Sequence, residues 1–214
     1  MKIFLIRHGQ TEWNHEQRYQ GHTDVALDKI GIKQAELVAV RLFEKGLKAV
    51  YSSDLQRASK TAQIIADVAG CPLHTTPLLR EANFGEWEGK TRQQIQDGYP
   101  GLFDKYRADS INYRPPSGET LDEVRQRITE ALTRIKEEVQ DGNAAIVGHG
   151  GSLRWIIMDC LSAPIETYRR LTLDNGSLSL VQYESTGQWL SLFNDTSHLG
   201  ALLSDATVSV QLNR

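Results

Sequence analysis

The sequence predicts an α/β fold: a single three-layer α/β/α domain, residues 1–214, with a mostly parallel central sheet and an antiparallel edge strand. Three observations carry this reading. Short apolar runs alternate with longer segments of helical spacing, as in successive βα units. Two of the runs, 3–6 and 144–147, stop abruptly at Arg7-His8-Gly9 and Gly148-His149-Gly150, and ligands in such sheets bind beyond the carboxyl ends of the strands. Near the C-terminus, 177–184 and 188–193 flank Ser185-Thr186-Gly187, the pattern of a hairpin.

Taken in order, the run 3–6 reads as a buried strand, and Gly9 gives the backbone room to turn and approach a ligand. The polar stretch 16–28, containing Tyr19-Gln20-Gly21-His22-Thr23-Asp24, reads as a loop beside a site. Over 31–45, Ala35, Leu37, Val38, Val40, Leu42 and Phe43 carry helical spacing, and Gly46 fits the stop. Residues 47–52 form a short strand, Ser53-Asp54 starts a helix over 55–68, and 72–79 holds another short strand. The glycine-bounded segment 80–89 is irregular and precedes a short helix near 91–97. Pro100, Pro115 and Pro116 mark turns in 99–117, where no element is assigned. Leu121, Val124, Ile128, Leu132, Ile135 and Val139 form the apolar stripe of a helix that Asp141-Gly142 ends. After the strand 144–147, helix is expected over 155–160, and 165–171 has room for another.

Composition narrows the function. The 214 residues suit one large domain or two small ones. With 40% hydrophobic and 24% charged residues the chain can bury one sizeable core. A net charge of −3 gives no sign of a nucleic-acid or anionic-membrane partner, and any phosphate site must create its own local positive field. Cys71 and Cys160 lack CxxC spacing and read as small buried hydrophobes of a reduced compartment. One Lys before a four-residue apolar run is too short for a signal peptide or membrane span, so a cytoplasmic setting is expected.

The chemistry begins with the two histidines. If their strands are parallel neighbours, about 5 Å apart, both imidazoles emerge at one sheet edge. A metal site is the rival reading, but Arg7 beside His8 would oppose a cation, and phosphate fits better. Arg57, one turn into a helix that follows a strand, supplies a second guanidinium at the same edge, with rigid donors suited to phosphate oxygens. Glu81, Glu86 and Glu88 are three candidate proton donors, and spacing alone does not choose among them.

These motifs have a common likeness. Arg7-His8-Gly9-Gln10-Thr11-Glu12-Trp13-Asn14, the run 52–62 with Ser52-Ser53, Arg57-Ala58 and Thr61-Ala62, the run 79–89 with Glu81, and Gly148-His149-Gly150 resemble the histidine phosphatase superfamily, which includes the cofactor-dependent phosphoglycerate mutases. The resemblance spans nearly the whole chain and implies a phosphoglycerate mutase-like fold. It implies that His8 is a nucleophile that becomes transiently phosphorylated and selects Glu81 as the proton donor. Arg7, Arg57 and a cationic His149 would hold the phosphoryl oxygens. Gly9, Asn14, Gln20 and Gly21 match pocket-lining positions, and His198 matches a tail that closes over substrate. Thr61 and Trp87 are expected to pack, and His22 to face solvent. No metal or organic cofactor is required.

Phosphatase action on a small soluble phosphate ester is the first expectation, with α-ribazole phosphatases, phosphoserine phosphatases and sugar-phosphate phosphatases among the similar enzymes. The alternative is a cofactor-dependent phosphoglycerate mutase. Mutases usually follow the acid with Arg-His-Tyr-Gly and carry a longer covering insertion. Here Ala82-Asn83-Phe84-Gly85 follows Glu81, and 90–116 is short, which favours an open, water-accessible site. A binding-only domain would lack one of the reactive groups. The hairpin 177–193 could add strands to a second copy, giving a homodimer.

Overall fold

In the first strand of the computed structural model, β1 (Lys2–Arg7), alternation decides the layering. Ile3 and Leu5 pack into one core, with Ala144, Ile146 and the stripe of a long helix. Phe4 and Ile6 pack into the other, with Ala145, Val147 and a second pair of helices. The structure describes residues 1–200; the remaining part of the expected domain, 201–214, lies outside the described residues.

The elements after β1 are α1 (Glu12–His15), α2 (Lys29–Leu42), β2 (Leu47–Ser53), α3 (Gln56–Ala69), β3 (Leu73–Thr76), α4 (Arg92–Gly98), α5 (Leu102–Ala108), α6 (Leu121–Val139), β4 (Asn143–Gly148), α7 (Gly150–Leu161), β5 (Leu178–Glu184) and β6 (Gly187–Asp195). The six strands form one sheet in the order β3-β2-β4-β1-β5-β6. The first four run parallel, while β5 is antiparallel to β1 and β6 to β5, so the antiparallel edge is a two-stranded hairpin. One face is covered by α2 and α3, the other by α6 and α7. Among the described residues no helix is long and apolar enough to cross a membrane.

Local chemistry accounts for most element ends. Asp28 caps α2 by accepting from the Gly31 amide, which starts the helix at Lys29, ahead of the expected 31. Thr120 and Glu123 form a reciprocal capping box on α6, and Gly70, left-handed at φ 64°, closes α3.

Four expectations need correction. Helix α7 begins at Gly150, five residues before the expected 155, because its first turn is built on two weak helix formers at the strand end. A seven-residue helix, α5, occupies part of 99–117; its Phe103 and Tyr106 join Trp87 and Ile95 in a small third cluster. Residues 165–170 form a 3-10 turn. Cys71 is only half-buried, whereas Cys160 is buried.

Candidate active site

The register of β1 on β4 sets Arg7 opposite Gly148, so both chains leave the sheet at one level. The imidazoles that follow lie with ring centroids 5.0 Å apart and interplanar angle 61°. His8, His149 and Arg57 are 3%, 1% and 1% exposed, so three titratable or charged groups from three elements are buried together.

Hydrogen bonds assign the protons. His8 Nδ1 donates to the Gly9 carbonyl at 2.7 Å, since a carbonyl can only accept. With the ring neutral, Nε2 then carries the lone pair. Burial, followed by Arg57 and Arg7, holds His8 well below its ordinary value, so it is neutral at physiological pH. Arg57 Nε donates to His149 Nδ1 at 3.2 Å. That nitrogen therefore accepts, and the proton sits on Nε2, which is buried without a partner. The expected cationic His149 is corrected: burial, Arg57 and His8 keep it neutral, and it offers an N–H instead of a charge.

Arg57 reaches the cluster from the first turn of α3. Its Nη2 and Nη1 donate to the carbonyls of Gly21 at 2.7 Å and Thr23 at 2.9 Å. Burial pulls it down to about 10, which leaves it cationic at neutral pH. Arg7 donates through Nη1 to the Leu173 carbonyl, while its Nε is buried and unpartnered.

The three carboxylates separate by place. Glu81 Oε2 accepts from the Gly151 amide at 2.9 Å, in the first turn of α7, and Oε1 from the Ala82 amide at 2.9 Å. Glu86 is exposed and accepts from Tyr99 Oη. Glu88 stitches two loops together: Oε1 accepts from the amides of His22 and Phe84, and Oε2 from the amide and hydroxyl of Thr23.

The remaining expected residues are distributed around this cluster. The space left by Gly9 is taken by α2, where a Cβ would lie 2.2 Å from the Gly31 carbonyl oxygen, so helix packing explains that glycine. Asn14 Oδ1 accepts from the Asn175 amide group, which also donates to the His8 carbonyl. Gln20 is buried with Oε1 unpartnered. Gly21 has φ 55°, and a Cβ there would meet Glu88 Oε1 at 2.0 Å. His198 donates to the carbonyl of Gly176, whose amide bonds the Arg7 and His8 carbonyls; the tail is thus fastened to the turn that holds the His8 backbone. Trp87 is fully buried, as expected. His22 departs from its expected solvent-facing position: it is partly buried and donates to the Glu81 carbonyl at 3.0 Å.

Sequence reasoning missed two supports. Arg127 on α6 donates to the carbonyls of Leu78, Arg80 and Glu81 and pairs with both oxygens of Glu119, which clamps the Glu81 segment. Thr61 does more than pack: its hydroxyl accepts from the Gly9 amide and donates to the Arg57 carbonyl. Neither has a local signal, since an arginine or threonine on a helix is ordinary. Among the described residues no three His, Cys, Asp or Glu side chains are disposed to hold a metal ion.

Comparison with known proteins gives the family. Residues 3–196 match the model of the histidine phosphatase superfamily, branch 1. A curated relative, the probable phosphoglycerate mutase GpmB of Yersinia pestis (strain Pestoides F), is 36% identical over 208 residues, covering 93% of this chain and 95% of that protein. Among solved structures, YhfR of Bacillus stearothermophilus aligns with TM-score 0.86 at 30% identity, over 92% of this chain and 98% of that one. The α-ribazole phosphatase of Shigella flexneri aligns with TM-score 0.85 at 28% identity, over 91% and 96%. A mutant phosphoserine phosphatase of Entamoeba histolytica, in complex with phosphoserine, aligns with TM-score 0.81 at 29% identity, over 92% and 98%.

Proposed function

The chain belongs to the histidine phosphatase superfamily, and from that membership we propose that it is a phosphoric monoester hydrolase acting on small phosphorylated metabolites through a phosphohistidine on His8. The observation that carries this reading is the tautomer of His8: Nδ1 is committed to the Gly9 carbonyl, which leaves Nε2 as a neutral nucleophile between two arginines. The phosphatases among the structural neighbours support hydrolysis. We take residues 1–214 as one domain built around this site.

The reaction has two steps. Nε2 of His8 attacks phosphorus as the ester P–O bond breaks, and Glu81 passes its proton to the leaving oxygen. Water then attacks the phosphohistidine; Glu81 takes the water's proton, the N–P bond breaks, and inorganic phosphate leaves. Throughout, Arg7, Arg57 and the Nε2–H of His149 donate to the phosphoryl oxygens and stabilise the charge on them. Asn14, Gln20 and Gly21 shape the pocket around that phosphate, while His198 fixes the backbone next to His8.

The test follows p-nitrophenyl phosphate with nitrophenol and inorganic phosphate recorded together. Equal, sustained release of both is expected, and His8→Ala should abolish it. A burst of nitrophenol without phosphate would show a phosphoenzyme that resists water. That outcome would support the second reading, a mutase, which the similarity to a probable phosphoglycerate mutase favours. Unchanged turnover in His8→Ala would overturn both.

A further inference from the structure

The segment 173–177 holds the end of β1. The carbonyls of Leu173 and Ser177 accept from Arg7 Nη1 and the Arg7 amide, and the Gly176 amide donates to the carbonyls of Arg7 and His8. The segment is fastened from behind. Asn194 exchanges two hydrogen bonds with Asp174, at 2.7 and 2.8 Å, and His198 donates to the Gly176 carbonyl. Leu173, Gly176 and Ser177 act through backbone atoms that any ordinary residue would supply. Asn175 acts through its side chain.

Asn175 Nδ2 lies 3.0 Å from the His8 carbonyl oxygen, 3.4 Å from that of Gly9 and 3.2 Å from Asn14 Oδ1. Carbonyl oxygens only accept, so the NH2 end of Asn175 must face them. Asn14 is oriented by the same reasoning. The oxygen it turns toward Asn175 also accepts from the Thr11 amide at 3.1 Å, and a backbone N–H only donates. The NH2 end of Asn14 is therefore turned away, and it donates to nothing among the described residues. One amide group thus ties together the His8 backbone, the Asn14 side chain and the Gly9 carbonyl. That last carbonyl accepts from His8 Nδ1 at 2.7 Å and so sets the tautomer.

We propose that Asn175 is a positioning residue for His8: it fixes the two carbonyls that set the direction and tautomer of the imidazole, and it keeps the Asn14 NH2 free for a substrate oxygen. Asparagine suits the task because its NH2 carries two donors on one planar group. A serine hydroxyl would offer one donor, and an ionised carboxylate none. The proposal deepens the hydrolase reading and rests on it for the step that His8 performs.

Two variants of similar shape test it: Asn175→Leu has no polar group, and Asn175→Asp has only acceptors once ionised. In substrate-free protein carrying isotope-labelled histidine, a long-range proton–nitrogen NMR spectrum reports the His8 tautomer. Its signals are identified by their loss in His8→Ala. Wild type should show Nδ1 protonated and Nε2 bare, whereas both variants should show the two tautomers mixed. With p-nitrophenyl phosphate, kcat should fall about tenfold or more in both variants, and KM should change by a smaller factor. A wild-type His8 spectrum in either variant, or a wild-type kcat, would overturn the proposal, since shape without donors would then suffice. Should Asn175→Leu fail to fold, Asn175→Asp decides alone. If the wild-type protein releases no nitrophenol, the hydrolase reading fails, and the spectra still decide whether Asn175 fixes His8.

Discussion

Two adjacent glycines at the start of α7 should behave oppositely when replaced by alanine. In Gly151→Ala the new methyl would stand 2.1 Å from Glu81 Oε1 and 2.7 Å from the Tyr168 hydroxyl, so both must give way. The carboxylate would have to retreat by about 1 Å to reach ordinary contact, a misplacement that can cost about 10²-fold in rate. The backbone is helical, and alanine is the better helix former by up to about 1 kcal/mol, so the fold should survive with Tm changed by no more than about 4 °C. In Gly150→Ala the methyl would meet nothing closer than 3.8 Å, which is ordinary contact. Its effect on kcat should be at least about tenfold smaller, since Glu81 keeps its place. The assay is p-nitrophenyl phosphate turnover beside thermal unfolding of both variants. Full activity in Gly151→Ala, or equal losses in the two, would refute the assignment of the proton donor to a Glu81 held in this position.

Three further predictions concern pH and the loop clamp. Because His8 is held well below its ordinary 6.5, the acid limb of kcat/KM should fall below that pH, and a limb at or above 6.5 would contradict a neutral buried nucleophile. The same depression has a stability consequence: below 6.5 the unfolded chain takes up protons that folded His8 and His149 refuse, so stability is lost as pH falls from 6.5 toward their folded values. His8→Asn should make that decline shallower by at most about 1.4 kcal/mol per pH unit, measured by denaturant unfolding at pH 7 and 5; parallel slopes would exclude it. Glu88→Gln exchanges one of the two acceptor oxygens that hold His22, Thr23 and Phe84 for a donor. It should destabilise by about 1–3 kcal/mol and raise KM more than it lowers kcat, because the loop carrying Arg57's acceptors loosens; unaltered KM would show that the clamp is irrelevant to the site.

What could be read in advance was local. Arg7-His8-Gly9 and Gly148-His149-Gly150 each announce a strand end, and the supposition that the strands are neighbours is met by the β1–β4 register. The apolar run of β1 and the stripe on α6 are likewise written in consecutive residues. By contrast, Glu88 acts on Thr23, Arg127 on Leu78, and Arg154 on Tyr168. Those partners lie far away in sequence or across separate elements, and their residue types are common on any surface. Helix α5 was hidden for a similar reason: seven residues behind a proline carry too few turns for periodicity, and what stabilises them is burial against Trp87.

The position of β1 in the sheet bears on how the protein is made. Its two ladder partners are β4, beginning at Asn143, and β5, ending at Glu184. Both lie more than 130 residues downstream, so β1 leaves the ribosome well before either neighbour exists. Ile3, Phe4, Leu5 and Ile6, all buried in the finished protein, are exposed during that wait, together with both rows of the strand's backbone donors and acceptors. Such a strand is a site for mispairing between nascent copies. The proposed active site forms late as well, because the His8–His149 pair exists only once β4 has docked on β1. A chain cut short before residue 143 would be not a weaker enzyme but an adhesive fragment.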